Sequence, residues 1–191
     1  MPRLHRSFLA PHAHALLVAA VAVTCLAGSV TPARSLELIP SIGLTKAADD
    51  HSGDSQVIGG LALRQPLAPL LDVEVGVSYH QQSYFGNDLK VRSWPLTASL
   101  WLKPISSIYL GAGVGYYPIT LDFAEALPIR DSTEDRFGVH VGGGVKVPLS
   151  SNLALDFSGR YVFLRSEDSH LVPETFDPDF WSTTVGLAIK F

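Results

Sequence analysis

Histidine and serine residues are the first candidates for chemistry in this sequence, because a hydrolytic site needs a nucleophile with a base beside it. The histidines after residue 35 are His51, His80, His140 and His170. Two of them have a serine as direct chain neighbour, but adjacency along a chain does not position a base. A solvated loop histidine is the simpler interpretation, so we predict no catalytic residues.

Metal and redox sites are equally poorly supported. Asp49, Asp50, Gly53 and Asp54 supply acids and a glycine, but they lack the regularly spaced ligand series of a calcium loop. Cys25 is the only cysteine of the chain, so neither a cysteine-based zinc site nor an internal disulfide is available. We therefore expect no metal and no cofactor.

Composition narrows the class of protein. The 191 residues are 47% hydrophobic and 17% charged, which excludes a disordered chain. The formal net charge of -4 offers no basic surface for nucleic acid, so we exclude nucleic acid as a partner. The mean hydropathy is +0.22 although there is only one long apolar run, so further apolar residues must be spread over many short segments.

The first 35 residues are typical of a cleaved signal peptide. Arg3 and Arg6 precede an apolar run over residues 13–27, and Ala33-Arg34-Ser35 offers a small-residue cleavage site. The run is shorter than the roughly 20 residues of a membrane-spanning helix, which disfavours an uncleaved anchor. A lipoprotein signal at Cys25 lacks the usual preceding pattern. We predict a signal peptide over 1–35 and one domain over 36–191.

Eight segments of that domain alternate apolar and polar residues with the period of two that indicates β-strands. In the third segment, Val73, Val75 and Val77 alternate with Asp72 and Glu74. The segments are 36–45, 56–64, 72–80, 94–103, 108–116, 137–147, 153–163 and 181–191.

The connections between these segments alternate in length. The short ones cover 66–70, 104–107 and 148–151, and the long ones cover 46–55, 83–90, 121–135 and 166–179. An even number of strands near 10 residues long, with tight turns at one rim and long loops at the other, is typical of a transmembrane antiparallel barrel. Hydrocarbon offers no hydrogen-bond partners, so such a sheet must close. We predict an all-β, eight-stranded transmembrane barrel with short periplasmic turns and long extracellular loops.

A secreted soluble barrel is the main alternative, since it also alternates but keeps its bulky face inside. Here the polar face carries many glycines, which would weaken a solvent-facing strand without benefit. Glycines that face a crowded lumen instead make room for long side chains from across it. This difference favours the membrane barrel.

The domain resembles the small eight-stranded outer-membrane barrels of Gram-negative bacteria, in the class of OmpX, OmpW and the membrane domain of OmpA. The most specific match is the last strand, where Trp181, Val185, Leu187 and Ile189 alternate up to a terminal aromatic residue, Phe191. The resemblance implies that Phe191 is part of the signal read by the barrel-assembly machinery. It implies a location in the outer membrane, with lipid and lipopolysaccharide as neighbours.

The resemblance alone does not select a function, because the family includes adhesins, surface-defence proteins and narrow channels. It also includes lipid A deacylases, which carry a His-x-Ser-Asn pattern. His140-Val141-Gly142 departs from that pattern because the serine is missing. We predict a structural or interaction protein, with a narrow pore as the alternative and a lipid-modifying enzyme third.

The polar face predicts the content of the lumen. The charged residues on it are Glu37, Arg64, Asp72, Glu74, Lys103, Lys146, Asp156, Arg160 and Lys190. An eight-stranded lumen is too narrow to hold so many long side chains apart, so we predict an ion-paired plug. Above it we expect a roomier polar vestibule lined by Ser78, His80, Gly111, Gly113, Gly115, Gly138 and His140.

The long loops are predicted to form an acidic extracellular rim. Fourteen of the 18 acidic residues fall in them: Asp49, Asp50, Asp54, Asp88, Asp122, Glu125, Asp131, Glu134, Asp135, Glu167, Asp168, Glu174, Asp177 and Asp179. Removal of the three basic residues in 1–35 from the chain's 14 leaves 11, so the net charge falls to -7. Such a rim favours solubility, or contact with an extracellular partner or with cation-bridged lipopolysaccharide.

Overall fold

Every regular element in the described part of the chain is a β-strand. The computed structural model describes residues 36–48, 55–84, 89–123, 132–164 and 179–191. The strands are β1 (Glu37–Ala47), β2 (Gln56–Ala68), β3 (Leu71–Tyr84), β4 (Leu89–Ser93), β5 (Leu96–Ile105), β6 (Ile108–Phe123), β7 (Ser132–Pro148), β8 (Leu153–Leu164) and β9 (Phe180–Lys190). None of the described residues forms a helix that is long and apolar enough to span a membrane.

The strands form one closed antiparallel sheet. β1 pairs with β2 on one side and with β9 on the other, and the pairing continues through β8, β7 and β6 back to β3 and β2. β4 and β5 share one place between β3 and β6. The predicted all-β, eight-stranded transmembrane barrel is therefore confirmed.

Pro95 explains why the fourth barrel strand is divided into β4 and β5. A proline has no N–H to donate to the ladder. The register nevertheless continues without a shift, since Leu96 pairs with Val77 and Ser93 pairs with His80. The carbonyl of Pro95 still accepts a hydrogen bond of 3.0 Å from the Ser78 N–H. The break is local, and the barrel wall stays closed.

The two faces of the wall are inverted relative to a soluble protein. Many of the large exposed side chains are aliphatic and point outward, such as Leu100 at 51% and Val141 at 48% exposed. The inward face buries charged groups, including Glu74 at 1% exposed. This distribution suits a surface surrounded by hydrocarbon.

Aromatic pairs lie on the long-loop half of the outer face. The rings of Tyr79 and Trp94 are 4.4 Å apart, and those of Tyr161 and Phe163 are 4.7 Å apart. Amphipathic rings of this kind collect at the boundary between hydrocarbon and headgroups. They mark the level at which the barrel leaves the outer leaflet.

The strands on either side of the third long loop are longer than the alternation predicts. β6 reaches Phe123 and β7 begins at Ser132, so the predicted loop 121–135 is too long at both ends. Asp122, Glu134 and Asp135 consequently lie in strands rather than in a loop. Beyond the aromatic rings a strand faces water on both sides, so its residues need not alternate between apolar and polar. Strand prediction from alternation therefore misses these ends.

Candidate functional site

The interior of the barrel is the candidate site, because it gathers the buried ionisable side chains. Strand alternation sends every second residue inward. The structure places all nine charged residues predicted for the lumen in ion pairs there: Glu37, Arg64, Asp72, Glu74, Lys103, Lys146, Asp156, Arg160 and Lys190. They divide into a central network and a group at the periplasmic rim.

The central ion network consists of Arg64, Glu74, Asp156 and Arg160. Arg64 pairs with Glu74 on the neighbouring strand, with Nη2 to Oε2 at 2.6 Å, and its Nη1 lies 2.9 Å from Asp156 Oδ2. Arg160 Nη2 lies 2.5 Å from the second oxygen, Glu74 Oε1. β3 and β8 are on opposite sides of the closed sheet, so the Arg160–Glu74 pair crosses the lumen.

Two aromatic side chains complete this network, although sequence reasoning assigned them no role in it. The Tyr109 hydroxyl donates a 2.6 Å hydrogen bond to Asp156 Oδ1, and the Arg64 guanidinium carbon is 4.3 Å from the Tyr109 ring centre. Arg160 lies 5.3 Å from the ring centre of Trp101. The alternation of the strands does place Trp101 and Tyr109 on the inward face. Inward arginines together with inward aromatic rings are the sequence feature that could have suggested stacking.

The rim group lies nearer the short turns, and its lysines range from buried to half-exposed. Lys103 Nζ is 2.6 Å from Asp72 Oδ1. Lys146 pairs closely with Glu37, whereas Lys190 Nζ remains 3.8 Å from Glu37 Oε1 and its side chain is 45% exposed. Lys190 is thus only loosely attached to the predicted set.

Luminal glycines make space for these rings. A methyl group at Gly144 would approach Tyr109 Cζ to 2.5 Å, and one at Gly115 would approach Tyr117 Cε2 to 2.5 Å. The expectation that inward glycines accommodate charged chains is therefore incomplete, because at these positions the glycine faces an aromatic ring. Bulky rings across a narrow lumen need this missing volume.

A cavity of about 80 Å³ lies on the extracellular side of the central ion network. Its polar lining includes Ser41, Ser78, Thr97, Tyr117, His140, Arg160, Ser182 and Thr184. Among the predicted vestibule residues whose side chains are described, Ser78 and His140 line this cavity and the four glycines do not. Gly113 lies against the His140 ring, and Gly115 lies against the Tyr117 ring. The His80 side chain lies outside the described residues.

His140 is held by a partner that sequence reasoning missed. Its Nε2 lies 2.9 Å from Ser99 Oγ, a residue 41 positions away on β5. His140 is 1% exposed, and among the described residues its Nδ1 has no hydrogen-bond partner. A serine and a histidine in contact resemble a nucleophile and its base, but within the described part of the chain no carboxylate is hydrogen-bonded to this imidazole.

The remaining predicted sites are placed as follows. Phe191 is 73% exposed, and its N–H donates a 3.0 Å hydrogen bond to the Leu36 carbonyl, which ties the two ends of the barrel together. The described residues contain no group of three acidic, histidine or cysteine side chains that could hold a metal. The acidic segment 49–54 and the predicted signal peptide lie outside the described residues.

Comparison with known proteins identifies the family. Residues 13–191 match the model of the outer membrane protein beta-barrel domain. No curated protein matches the sequence significantly.

Solved structures share the fold at low sequence identity. Neisserial surface protein A is 19% identical, with a TM-score of 0.60 over 82% of this chain and 97% of that one. The Yersinia pestis attachment invasion locus protein Ail is 13% identical, with a TM-score of 0.54 over 83% and 97%. OprG of Pseudomonas aeruginosa is 16% identical, with a TM-score of 0.61 over 82% and 96%. The chain belongs to the outer membrane protein beta-barrel family, as a small eight-stranded barrel of the bacterial outer membrane.

Proposed function

We propose that this protein is a non-conducting barrel with a structural or surface-interaction role, whose lumen is plugged by the central ion network. The observation that carries the proposal is the position of Glu74, which is 1% exposed and bridges Arg64 and Arg160 across the lumen. A permeating ion would have to separate charge-assisted hydrogen bonds in a confined interior. An eight-stranded lumen leaves little room for a path around them.

Single-channel recording on the refolded barrel in a planar bilayer tests this proposal. We expect little conductance from the wild type. Arg160→Ala should raise conductance, because it removes the cation that reaches across the lumen to Glu74. A Lys190→Ala variant is the matched control, since this lysine is half-exposed and loosely paired. A large, steady wild-type conductance that Arg160→Ala leaves unchanged would contradict the proposal.

A narrow pore is the second candidate, and the cavity beside Arg160 is the observation in its favour. A pore would require the ion network below that cavity to open. The conductance experiment therefore separates the two candidates, because only a pore predicts steady current through the wild-type protein.

We infer a non-enzymatic role despite the contact between Ser99 and His140. Both residues point into the lumen, away from the acyl chains that a lipid-modifying enzyme would process, and Ser99 is 3% exposed. Ser99→Ala should leave the lipid composition of outer membranes containing the protein unchanged. Loss of a deacylated or acylated lipid species in that variant would instead establish an enzyme.

We further propose that the extracellular rim contacts a partner. The support is the acidic character of the chain after residue 35, with 11 basic and 18 acidic residues. The names of two structural neighbours, a surface protein and an attachment invasion locus protein, agree with such a role, but their identities of 19% and 13% support the fold alone. Binding to lipopolysaccharide that requires magnesium would identify bridging cations, and binding that requires no cation would favour a basic partner.

We propose two further partners, one for the outer face of the barrel and one for the last strand. The outward aliphatic side chains are expected to contact lipid and lipopolysaccharide, and the strand ending at Phe191 is expected to engage the barrel-assembly machinery. Deletion of Phe191 tests the second of these.

A further inference from the structure

We propose that the cavity on the extracellular side of the central ion network binds a small anion, held by Arg160, His140 and the hydroxyl groups of the cavity wall. This inference concerns the lumen above the plug and does not depend on the surface-interaction role. Four strands supply the site: Arg160 comes from β8, His140 from β7, Ser78 from β3 and Thr97 from β5.

The charge of the lining favours an anion. Among the described residues that line the cavity, Arg160 is the one permanent cation and no carboxylate is present. Arg160 uses Nη2 for Glu74, which leaves Nε and Nη1 as further donors. Glu74 is itself neutralised by Arg64 and therefore repels an incoming anion little.

His140 supplies an independent observation that points to a ligand. It lines the cavity, is 1% exposed, and has no hydrogen-bond partner for Nδ1 among the described residues. The Ser99 hydroxyl can donate to Nε2 at 2.9 Å, and in a neutral imidazole the proton then lies on Nδ1. Nδ1 itself is covered by protein, so an acceptor in the cavity would reach it after a small shift of the imidazole, which a buried donor without a partner favours.

The available volume limits the ligand to a small ion. A cavity of about 80 Å³ exceeds the roughly 10–15 Å³ that a single water needs, but it is far below the 300–1,000 Å³ of pockets for drug-sized molecules. A halide, a phosphate or a short carboxylate fits this description.

Trp101 provides a reporter for the experiment. It is fully buried, its ring centre is 6.5 Å from that of His140, and Arg160 stacks near it. The other two tryptophans after residue 35, Trp94 and Trp181, point outward. Trp94→Phe and Trp181→Phe therefore give a folded barrel with one luminal tryptophan. Iodide is the probe, because it is a small heavy anion that quenches indole fluorescence at close range, and Arg160, which lines the cavity, lies 5.3 Å from the Trp101 ring centre.

We expect saturable quenching of Trp101 by iodide, competition by inorganic phosphate, and no comparable quenching by caesium gluconate. Arg160→Gln should weaken iodide binding about tenfold or more, as the loss of a charge-assisted hydrogen bond implies, whereas Arg160→Lys should retain part of it. Lys103→Gln is the matched control, because it removes the same charge from the periplasmic rim. Heat-modifiable gel migration checks that each variant is folded.

Three results would overturn the proposal. The absence of quenching, or quenching that rises linearly with iodide without saturation, would show that iodide has no site beside Arg160. Equal quenching by iodide and caesium would show a water-filled cavity without charge preference. An equal loss of binding in Arg160→Gln and Lys103→Gln would assign the effect to the overall charge of the lumen rather than to this cavity.

Discussion

Glu74 should be the most sensitive charged position in the barrel. Its two carboxylate oxygens are divided between Arg64 and Arg160, at 2.6 Å and 2.5 Å. Removal of one partner from a buried ion pair generally costs about 3–5 kcal/mol, because the remaining charge is left uncompensated. Glu74→Gln keeps an amide oxygen as acceptor, and Arg64 retains Asp156. We therefore expect Glu74→Gln to lower the free energy of unfolding by about 3 kcal/mol, the lower end of that range.

Urea unfolding of the refolded barrel in lipid vesicles, followed by tryptophan fluorescence and gel migration, measures this loss. Lys190→Gln is the matched control, since this lysine is 45% exposed and 3.8 Å from Glu37, and exposed pairs contribute about 1 kcal/mol or less. A double-mutant cycle of Glu74→Gln with Arg160→Gln should give a coupling energy of about 1.5–3 kcal/mol. Coupling below about 0.5 kcal/mol would refute the proposed ion pair across the lumen.

The remaining predictions concern the wall of the barrel. Val141→Arg should lower the free energy of unfolding in urea by about 2–4 kcal/mol, and Val57→Arg, near the extracellular end, by about 1 kcal/mol or less. Equal losses would contradict the depth in the membrane assigned to these two residues. Gly144→Ala should cost about 1–3 kcal/mol because its methyl group meets a tyrosine ring, whereas Gly159→Ala meets no atom closer than 3.9 Å and should be tolerated. Deletion of Phe191 should reduce the heat-modifiable, assembled fraction in outer membranes, and unchanged assembly would remove its role as a signal.

The faces of the barrel could be predicted from sequence because hydrocarbon imposes a strict rule on every second residue. The inward position of Asp156 and Arg160 follows from that rule alone. Which groups meet across the lumen could not be predicted, since Arg64 and Asp156 are 92 positions apart and their contact depends on the stagger of the whole sheet. The Ser99–His140 contact could not be predicted from the sequence for the same reason.

The strand ends and the break at Pro95 escaped prediction for local reasons. Above the aromatic rings, pairing such as that of Thr120 with Thr133 continues in water, where no apolar alternation is needed. Pro95 divides the strand only because it lacks one N–H donor. The register is the same on both sides of it, so the hydrogen bonds of the neighbouring residues are sufficient to keep the strand paired.

The facing of the three tryptophans offers the most direct test of the central claim, that the bulky face meets lipid and the charged face meets the lumen. Trp94 and Trp181 are 58% and 39% exposed on the outer face, whereas Trp101 is 0% exposed inside. Single-tryptophan variants can be reconstituted in vesicles of lipids brominated near the headgroup end of the acyl chains. Bromine should quench Trp94 and Trp181 strongly and leave Trp101 unaffected. Strong quenching of Trp101, with Trp94 and Trp181 unaffected, would contradict the assignment of the two faces.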